Sequence, residues 1–328
     1  MNIAVLGWYG NNNVGDEAFR FAFHDLFMDH SVSFFLPPDI PKGDIIVLGG
    51  GAVASPYYLS CLPETPAYAI GIDLAYESEV DLVAARNFKA AYIRTATDAA
   101  ALKAKVSFPV EHIPDLAFLI RPTGQDVLGK YRKTTKKSLG ILVTDYVNPA
   151  IDRPVKEFAA RAWSFQQNMA EQLDKLSKEF EIFMIPCSTG GYGNDIRINL
   201  GIASFMVEGP TQIMATLSPQ EMVDLIAGLD VSVCMRFHAH IFSVIAGTPF
   251  VSLDFTRKVK LFLHENGLDK SQVCGFHEDE FDASLLKSAV EEAAEENRNK
   301  FSSIGRNHHT RLQEFKEQLR RLLFGESS

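Results

Sequence analysis

Short apolar runs that stop at a glycine or a polar residue alternate with amphipathic stretches along most of this chain. NIAVLGW (2–8) reads as a buried parallel strand ending in glycine. A Gly/Asn-rich turn, YGNNNVGDEAF, follows, and Asp16 and Glu17 open an amphipathic stretch to about His30. SVSFFL and DIIVLGGG add two strands. PAYAIGIDL, a helical stretch near 77–88, AAYIRT, a helix at about 96–105 and VEHIPDLAFLI continue the series. Such alternation with short loops predicts an open, mostly parallel α/β sheet.

The pattern breaks at 121–137, RPTGQDVLGKYRKTTKK, which is polar, basic and without apolar periodicity. It then starts again strand-first. SLGILVTD is a strand, 154–179 a long helix, FEIFMIPC a strand, STGGYGND a turn and 195–206 a helix. LSPQEMVDLIAGL reads as a capped helix, with Ser218 before Pro219 and Glu221 three residues on. DVSVCM and PFVSLDF are strands. Residues 278–300 are acidic and helical, and 306–324 form a last helix with Leu312, Phe315, Leu319 and Leu322 at helical spacing. The expected organisation is a Rossmann-like domain at 1–125, a linker at 126–137 and a second Rossmann-like domain at 138–305. The helix at 306–328 is expected to pack back across the domains. Two such domains facing across a cleft make a GT-B-like α/β fold, whose ligands belong outside the C-terminal strand ends.

Composition excludes some functions. The formal net charge of −9 argues against a nucleic-acid partner, which needs a basic face. Cysteines at 61, 187, 234 and 274 include no C-x-x-C pair, so no zinc site, metal or disulfide framework is expected and a reduced, cytoplasmic compartment is. The start, MNIAVLGWYG, lacks a basic region and a cleavage pattern, so it does not read as a signal peptide. The apolar stretch 237–253 is broken by two histidines and Pro249, so no integral membrane segment is expected.

The sharpest local feature is LDVSVCMRFHAHIFSVIAGTPFVSLDF (229–255), where Arg236, His238 and His240 interrupt an apolar run. Buried charge is costly without a partner. Arg236 and His238 fall just past a strand end. There a guanidinium can grip a carboxylate or phosphate, and an imidazole can pass a proton. His240 falls on another face of the following helix and reads as structural. Arg257, Lys258 and Lys260 follow the next strand end and either add positive potential or form a solvated helix start.

Other motifs keep two readings each. The loop Gly7–Gly15 lacks the dinucleotide spacing G-x-G-x-x-G. Its acidic first turn disfavours phosphate, so Asn11, Asn13 or Asp16 either bind acceptor hydroxyls or build a turn. Gly49, Gly50 and Gly51 permit close approach at a strand end, which a ligand or another backbone could use, and read as lining the cleft. Arg94 either contacts ligand or pairs with Asp115. The turn CSTGGYGND, with Gly190 and Gly191, either cradles an anion or is a plain loop.

In order and spacing, GWYGNNNVGDEA, VLGGG, YIRTATDAAAL, HIPDLAFL and CMRFHAHIFSVIAGTPFVSLDFTRKVKLFL resemble the polysaccharide pyruvyl transferase family, from the start of the chain to about residue 263. The resemblance implies an enzyme that moves pyruvate from phosphoenolpyruvate to a glycan sugar as a ketal and releases phosphate. No separate cofactor is implied. Carried over, Arg236 would bind the donor's phosphate or carboxylate, and His238 would be the general acid at the enol carbon. Arg94 matches the family's strand-end arginine and Lys258 its basic residue after the final strand; with Gly190 and Gly191 of the glycine-rich turn they make up the expected donor side. Asn13, Asp16, Gly50 and Gly51 would serve the acceptor, a glycan or lipid-linked saccharide met in the cytoplasm near the inner face of the membrane. The alternatives are a GT-B glycosyltransferase using a nucleotide sugar, or a non-catalytic glycan-binding relative. The chain departs from the family at Thr144 and Asp145, where an arginine is common at the end of the second domain's first strand, and at Thr95, where an acidic residue is common. Lys136, Lys137 and Arg153 are the nearby cations that could stand in for that arginine.

Overall fold

The computed structural model describes residues 1–74, 77–144, 155–190, 193–253, 256–268 and 282–325. It divides into two compact units. The first holds Met1–Asn11, Asp16–Ile120 and Arg306–Ser328; the second holds Asn12–Gly15 and Arg121–Gly305.

The first unit contains β1 (Asn2–Leu6), α1 (Val14–Leu26, whose first two residues group with the second unit), β2 (Ser31–Phe35), β3 (Ile45–Gly51), α2 (Pro56–Leu59), β4 (Ala67–Ile72), α3 (Glu77–Ala84), β5 (Phe88–Ile93), α4 (Ala96–Lys103) and β6 (Val110–His112). Its six strands are all parallel, in the order β2-β1-β3-β4-β5-β6. β3 and β4 are buried along their whole length, which is why they read as unbroken apolar runs.

The second unit contains β7 (Lys137–Leu142), α5 (Val155–Leu176), β8 (Phe180–Met184), α6 (Asp195–Phe205), β9 (Thr211–Gln212), α7 (Pro219–Ala227), β10 (Val231–Cys234), α8 (Phe237–Ala246), β11 (Phe250–Ser252), α9 (Arg257–Glu265) and α10 (Leu286–Ala294). Its parallel sheet runs β11-β10-β7-β8-β9. A core of Ile141, Met169, Leu173, Met184, Val233, Leu253 and Val290 joins the sheet to α5 and α10. Two parallel α/β sheets with a C-terminal helix, α11 (Arg298–Phe324), give the expected fold class.

Several expectations are corrected in detail. The polar stretch 121–137 is fastened to the second unit. Asp224 accepts from the backbone N–H groups of Thr123 and Gly124 at 2.9 and 3.0 Å. Glu181 accepts from those of Lys133 and Thr134 at 2.7 and 2.9 Å, and Leu128 is buried. Composition alone reads this stretch as a linker, because carboxylates distant in sequence supply its partners. The acidic segment is broken, with α10 ending at Ala294 and α11 starting already at Arg298; residues 278–281 lie outside the described residues. From Arg306 on, α11 groups with the first unit, where Lys316 and Arg320 reach Asp25 and Asp29 at 3.0 and 2.6 Å. Leu312, Phe315 and Leu319 are buried as the spacing predicts, but Leu322 is 57% exposed.

Candidate active site

In the second sheet the strand order reverses between the neighbours β7 and β10: β8 and β9 extend one way, β11 the other. The crevice outside such a reversal, at the C-terminal strand ends, is where open α/β sheets bind ligands. Cys234 pairs with Leu142, so Arg236 and Thr144, each two residues further on, emerge side by side at that reversal.

Arg236 is the N-cap residue of α8. Its guanidinium is held by Asp195, a fully buried carboxylate at the start of α6. Nε lies 3.2 Å from both carboxylate oxygens, and Nη2 lies 2.6 Å from Oδ1 and 2.6 Å from the Gly193 carbonyl. Asp195 also accepts from the backbone N–H groups of Cys187 and Ser188 at 3.0 and 2.9 Å and from the Thr144 hydroxyl. Burial pushes the Asp195 carboxyl up from the ordinary range, against the downward pull of Arg236 and these donors. Two N–H groups of the glycine-rich turn are thus already given to a carboxylate of the protein itself. The Arg236 side chain keeps 23% exposure. Replacing Arg236 by methionine strands Asp195 without its cation, and we expect a loss of about 3 kcal/mol, read as a lower urea midpoint. Removing Asp195 as well should restore part of it.

His238 lies in the first turn of α8. Its ring sits 5.3 Å from Phe237 and 6.0 Å from Phe242, centroid to centroid. Another close neighbour is Gly15: a Cβ there would stand 2.5 Å from His238 Cγ and 2.9 Å from its Cβ. Residues 12–15 reach this place by joining the turn that follows β8. Val14 N–H donates to Cys187 O at 2.9 Å, Thr189 N–H donates to Asn12 O at 2.9 Å, and Asn13 forms an antiparallel bridge with Ser188. Asn12 takes a left-handed φ of 54°, which asparagine tolerates better than most residues.

His240 is fully buried. Its Nδ1 lies 2.9 Å from the Arg236 carbonyl and its Nε2 2.8 Å from the Ser252 hydroxyl. A carbonyl only accepts, so Nδ1 carries the proton and Nε2 accepts from Ser252. His240 is therefore a satisfied core group that ties the start of α8 to the end of β11. Burial lowers its pKa from 6.5 to about 4. The folded state then binds this proton less readily than the unfolded state. Stability is complete above pH ~6.5 and falls by up to about 3 kcal/mol as the pH drops towards 4. A His240→Gln variant should show a flatter pH dependence of its urea midpoint over that window.

Lys258 stands in the first turn of α9 with its ammonium 5.5 Å from the centroid of the Phe237 ring. Arg257 and Lys260 share that turn, which holds no acidic residue. Gly190 follows the Asn12–Thr189 hydrogen bond in the β8–α6 turn. Gly191, Asp145 and Arg153 lie outside the described residues. Lys136 donates to Ser177 O at 2.7 Å and Lys137 pairs with Glu295 at 2.6 Å. Lys136 precedes β7 and Lys137 begins it, so both are at the wrong end of the strand to replace the family arginine.

In the first unit the strand order reverses between β1 and β3, and the glycine run lies at the end of β3. Gly50 and Gly51 have φ of 70° and 84°, and a Cβ on Gly50 would meet Phe19 Cγ at 2.5 Å. Close packing of α1 accounts for these glycines. A Cβ on Gly51 would stand 3.7 Å from Asp16 Oδ1. Glu17 accepts from Gly10 N–H at 2.5 Å, so the acidic first turn caps its own loop. Arg94 is 6% exposed, and its guanidinium donates to Asp115 at 2.7 Å and Asp73 at 2.8 Å. Of the two readings of Arg94, the Asp115 pair is present. Thr95, where the family has an acid, donates to Asp98 at 2.5 Å.

Sequence reasoning missed Asp195, Gly193 and Gly15 as parts of this region. An aspartate after a glycine-rich turn looks like an ordinary helix start, and nothing local ties it to an arginine 41 residues away.

The chain is similar to solved structures of GT-B-like fold. A putative UDP-N-acetylglucosamine 2-epimerase from Listeria monocytogenes has a TM-score of 0.63 at 8% identity, covering 99% of this chain and 97% of that one. S. aureus MnaA with UDP gives 0.59 at 8%, covering 100% and 98%. The Methanocaldococcus jannaschii UDP-GlcNAc 2-epimerase gives 0.59 at 10%, covering 97% and 100%. At such identities the likeness is one of fold. No curated protein matches the sequence. The family model described as polysaccharide pyruvyl transferase matches residues 13–256, which include the Asn13 loop, the Asp195 turn and the Arg236–His238 helix start. This chain belongs to the polysaccharide pyruvyl transferase family.

Proposed function

We propose that the protein transfers pyruvate from phosphoenolpyruvate to a sugar of a glycan or glycan precursor, forming a ketal and releasing phosphate. The observation that carries this reading is the start of α8. There an arginine fixed by Asp195 precedes a histidine by two residues, at the reversal of the second sheet. A carboxylate-bearing phosphoester needs both a cation and a proton donor.

In this reading protonated His238 gives its proton to the enol CH2 carbon, leaving an oxocarbenium at C2. One sugar hydroxyl attacks C2 and its proton returns to His238. The C2–O bond to phosphate then breaks, the second hydroxyl attacks, and its proton leaves with phosphate. Arg236 and Lys258 hold the anionic groups, and Gly190 contributes to donor binding. Asp195 offsets part of the Arg236 charge, so Lys258 and the N-terminal end of α9 supply the remainder. Three cations at the positive end of a helix dipole suit an anionic neighbour. Arg94 sets the strand end of the first unit through Asp73 and Asp115, while Asn13, Asp16, Gly50 and Gly51 serve the acceptor. No cofactor is required. A cytoplasmic setting near the membrane suits the donor and a lipid-linked acceptor. The buried free thiols of Cys61, Cys187 and Cys234 agree with it, and among the described residues no helix is long and apolar enough to cross a membrane.

The test is ligand-dependent melting. Phosphoenolpyruvate at about 100 times its Kd should add roughly 2.7 kcal/mol to stability. Stabilisation by a nucleoside diphosphate, with none by phosphoenolpyruvate, would favour a glycosyltransferase instead.

A further inference from the structure

Gly15 closes the loop whose Asn13 reads either as an acceptor ligand or as part of a turn, and it packs against His238. The contact is not limited to the tip of a movable ring, since a Cβ on residue 15 would meet His238 Cβ as well as Cγ. The loop has little room to retreat. It is pinned by the Val14–Cys187 and Asn12–Thr189 backbone bonds, and Gly15 N–H donates to Asn13 Oδ1 at 3.1 Å. Phe237 and Phe242 flank the imidazole within its own helix. No left-handed φ demands glycine at position 15, so the backbone alone does not explain the residue. In a helix alanine is intrinsically favoured over glycine. What requires glycine here is the closeness of His238.

We propose that Gly15 is a positioning residue for His238. In this view Gly15 serves the proton-transfer side of the site. Gly15 acts by fixing one orientation of the imidazole and touches no substrate. The assignment of a proton to His238 rests on the pyruvyl-transfer reading; the positioning itself does not.

The experiment compares wild type, Gly15→Ala, His238→Ala and the double variant. With histidine labelled at the ring carbons, the His238 resonance is identified by its loss in His238→Ala. We expect Gly15→Ala to move that resonance at fixed pH more than that of any other histidine. We also expect its melting temperature to fall, although helix propensity alone would raise it. The double variant should melt no lower than His238→Ala, because the clash has lost its second partner. Where turnover is measurable, Gly15→Ala should lower kcat by about 100-fold with little change in donor KM, as for a catalytic group displaced by about 1 Å. An unmoved His238 resonance, or a double variant destabilised as much by Gly15→Ala as the wild type is, would overturn the proposal. If Gly15→Ala does not fold, the double variant still decides. Resonance and melting require no turnover, so a failure of the pyruvyl-transfer reading would appear separately, as no phosphate release from wild type.

Discussion

Replacing His238 with glutamine is expected to lower turnover by about 10²–10⁴-fold while phosphoenolpyruvate continues to raise the melting temperature. The magnitude is that of removing a positioned general acid. Glutamine roughly keeps the volume between Gly15 and the two phenylalanines, so the α8 start should hold its shape. Arg236 and Lys258 are untouched, so the donor's anionic groups keep their partners. The readouts are initial rates of phosphate release and ligand-dependent melting, measured side by side. Unchanged turnover would remove His238 from proton transfer; loss of donor-induced stabilisation would make it a binding residue.

The second large effect is expected in the first unit. Arg94→Met should destabilise the protein by about 3–5 kcal/mol, because it leaves two carboxylates buried without their cation. Asp73 and Asp115 are 1% and 5% exposed, so water cannot replace the guanidinium. Asp115 has a further duty: its other oxygen accepts from Ala117 N–H at 2.8 Å and caps the turn Leu116–Leu119. Lysine keeps the charge but cannot fork between two carboxylates, so Arg94→Lys should fall between methionine and wild type. Urea unfolding measures the series. A methionine variant as stable as wild type would mean that Asp73 and Asp115 find other partners.

The fold was largely legible because strands buried on both faces write themselves as apolar runs, as β3 and β4 do. β9 was not legible: two residues, Thr211 and Gln212, leave no periodicity. Nor was the membership of residues 12–15 in the second unit, which rests on backbone bonds to Cys187 and Thr189. The site divides in the same way. Arg236 and His238 stood out because polar groups interrupt an apolar run. Asp195 and Thr144 did not, because each looks ordinary in its own stretch and acquires meaning only when β7 and β10 become neighbours. The missing family arginine also takes on a different sense. At its place a threonine hydroxyl donates to the carboxylate that holds Arg236.

The central claim is tested most directly by incubating the protein with phosphoenolpyruvate and a panel of β-linked hexose acceptors, following phosphate and product mass together. The account predicts phosphate release that depends on an acceptor and matches, mole for mole, the appearance of a pyruvate ketal. Release of a nucleoside diphosphate from a nucleotide sugar, with no ketal formed from phosphoenolpyruvate on any acceptor, would contradict it.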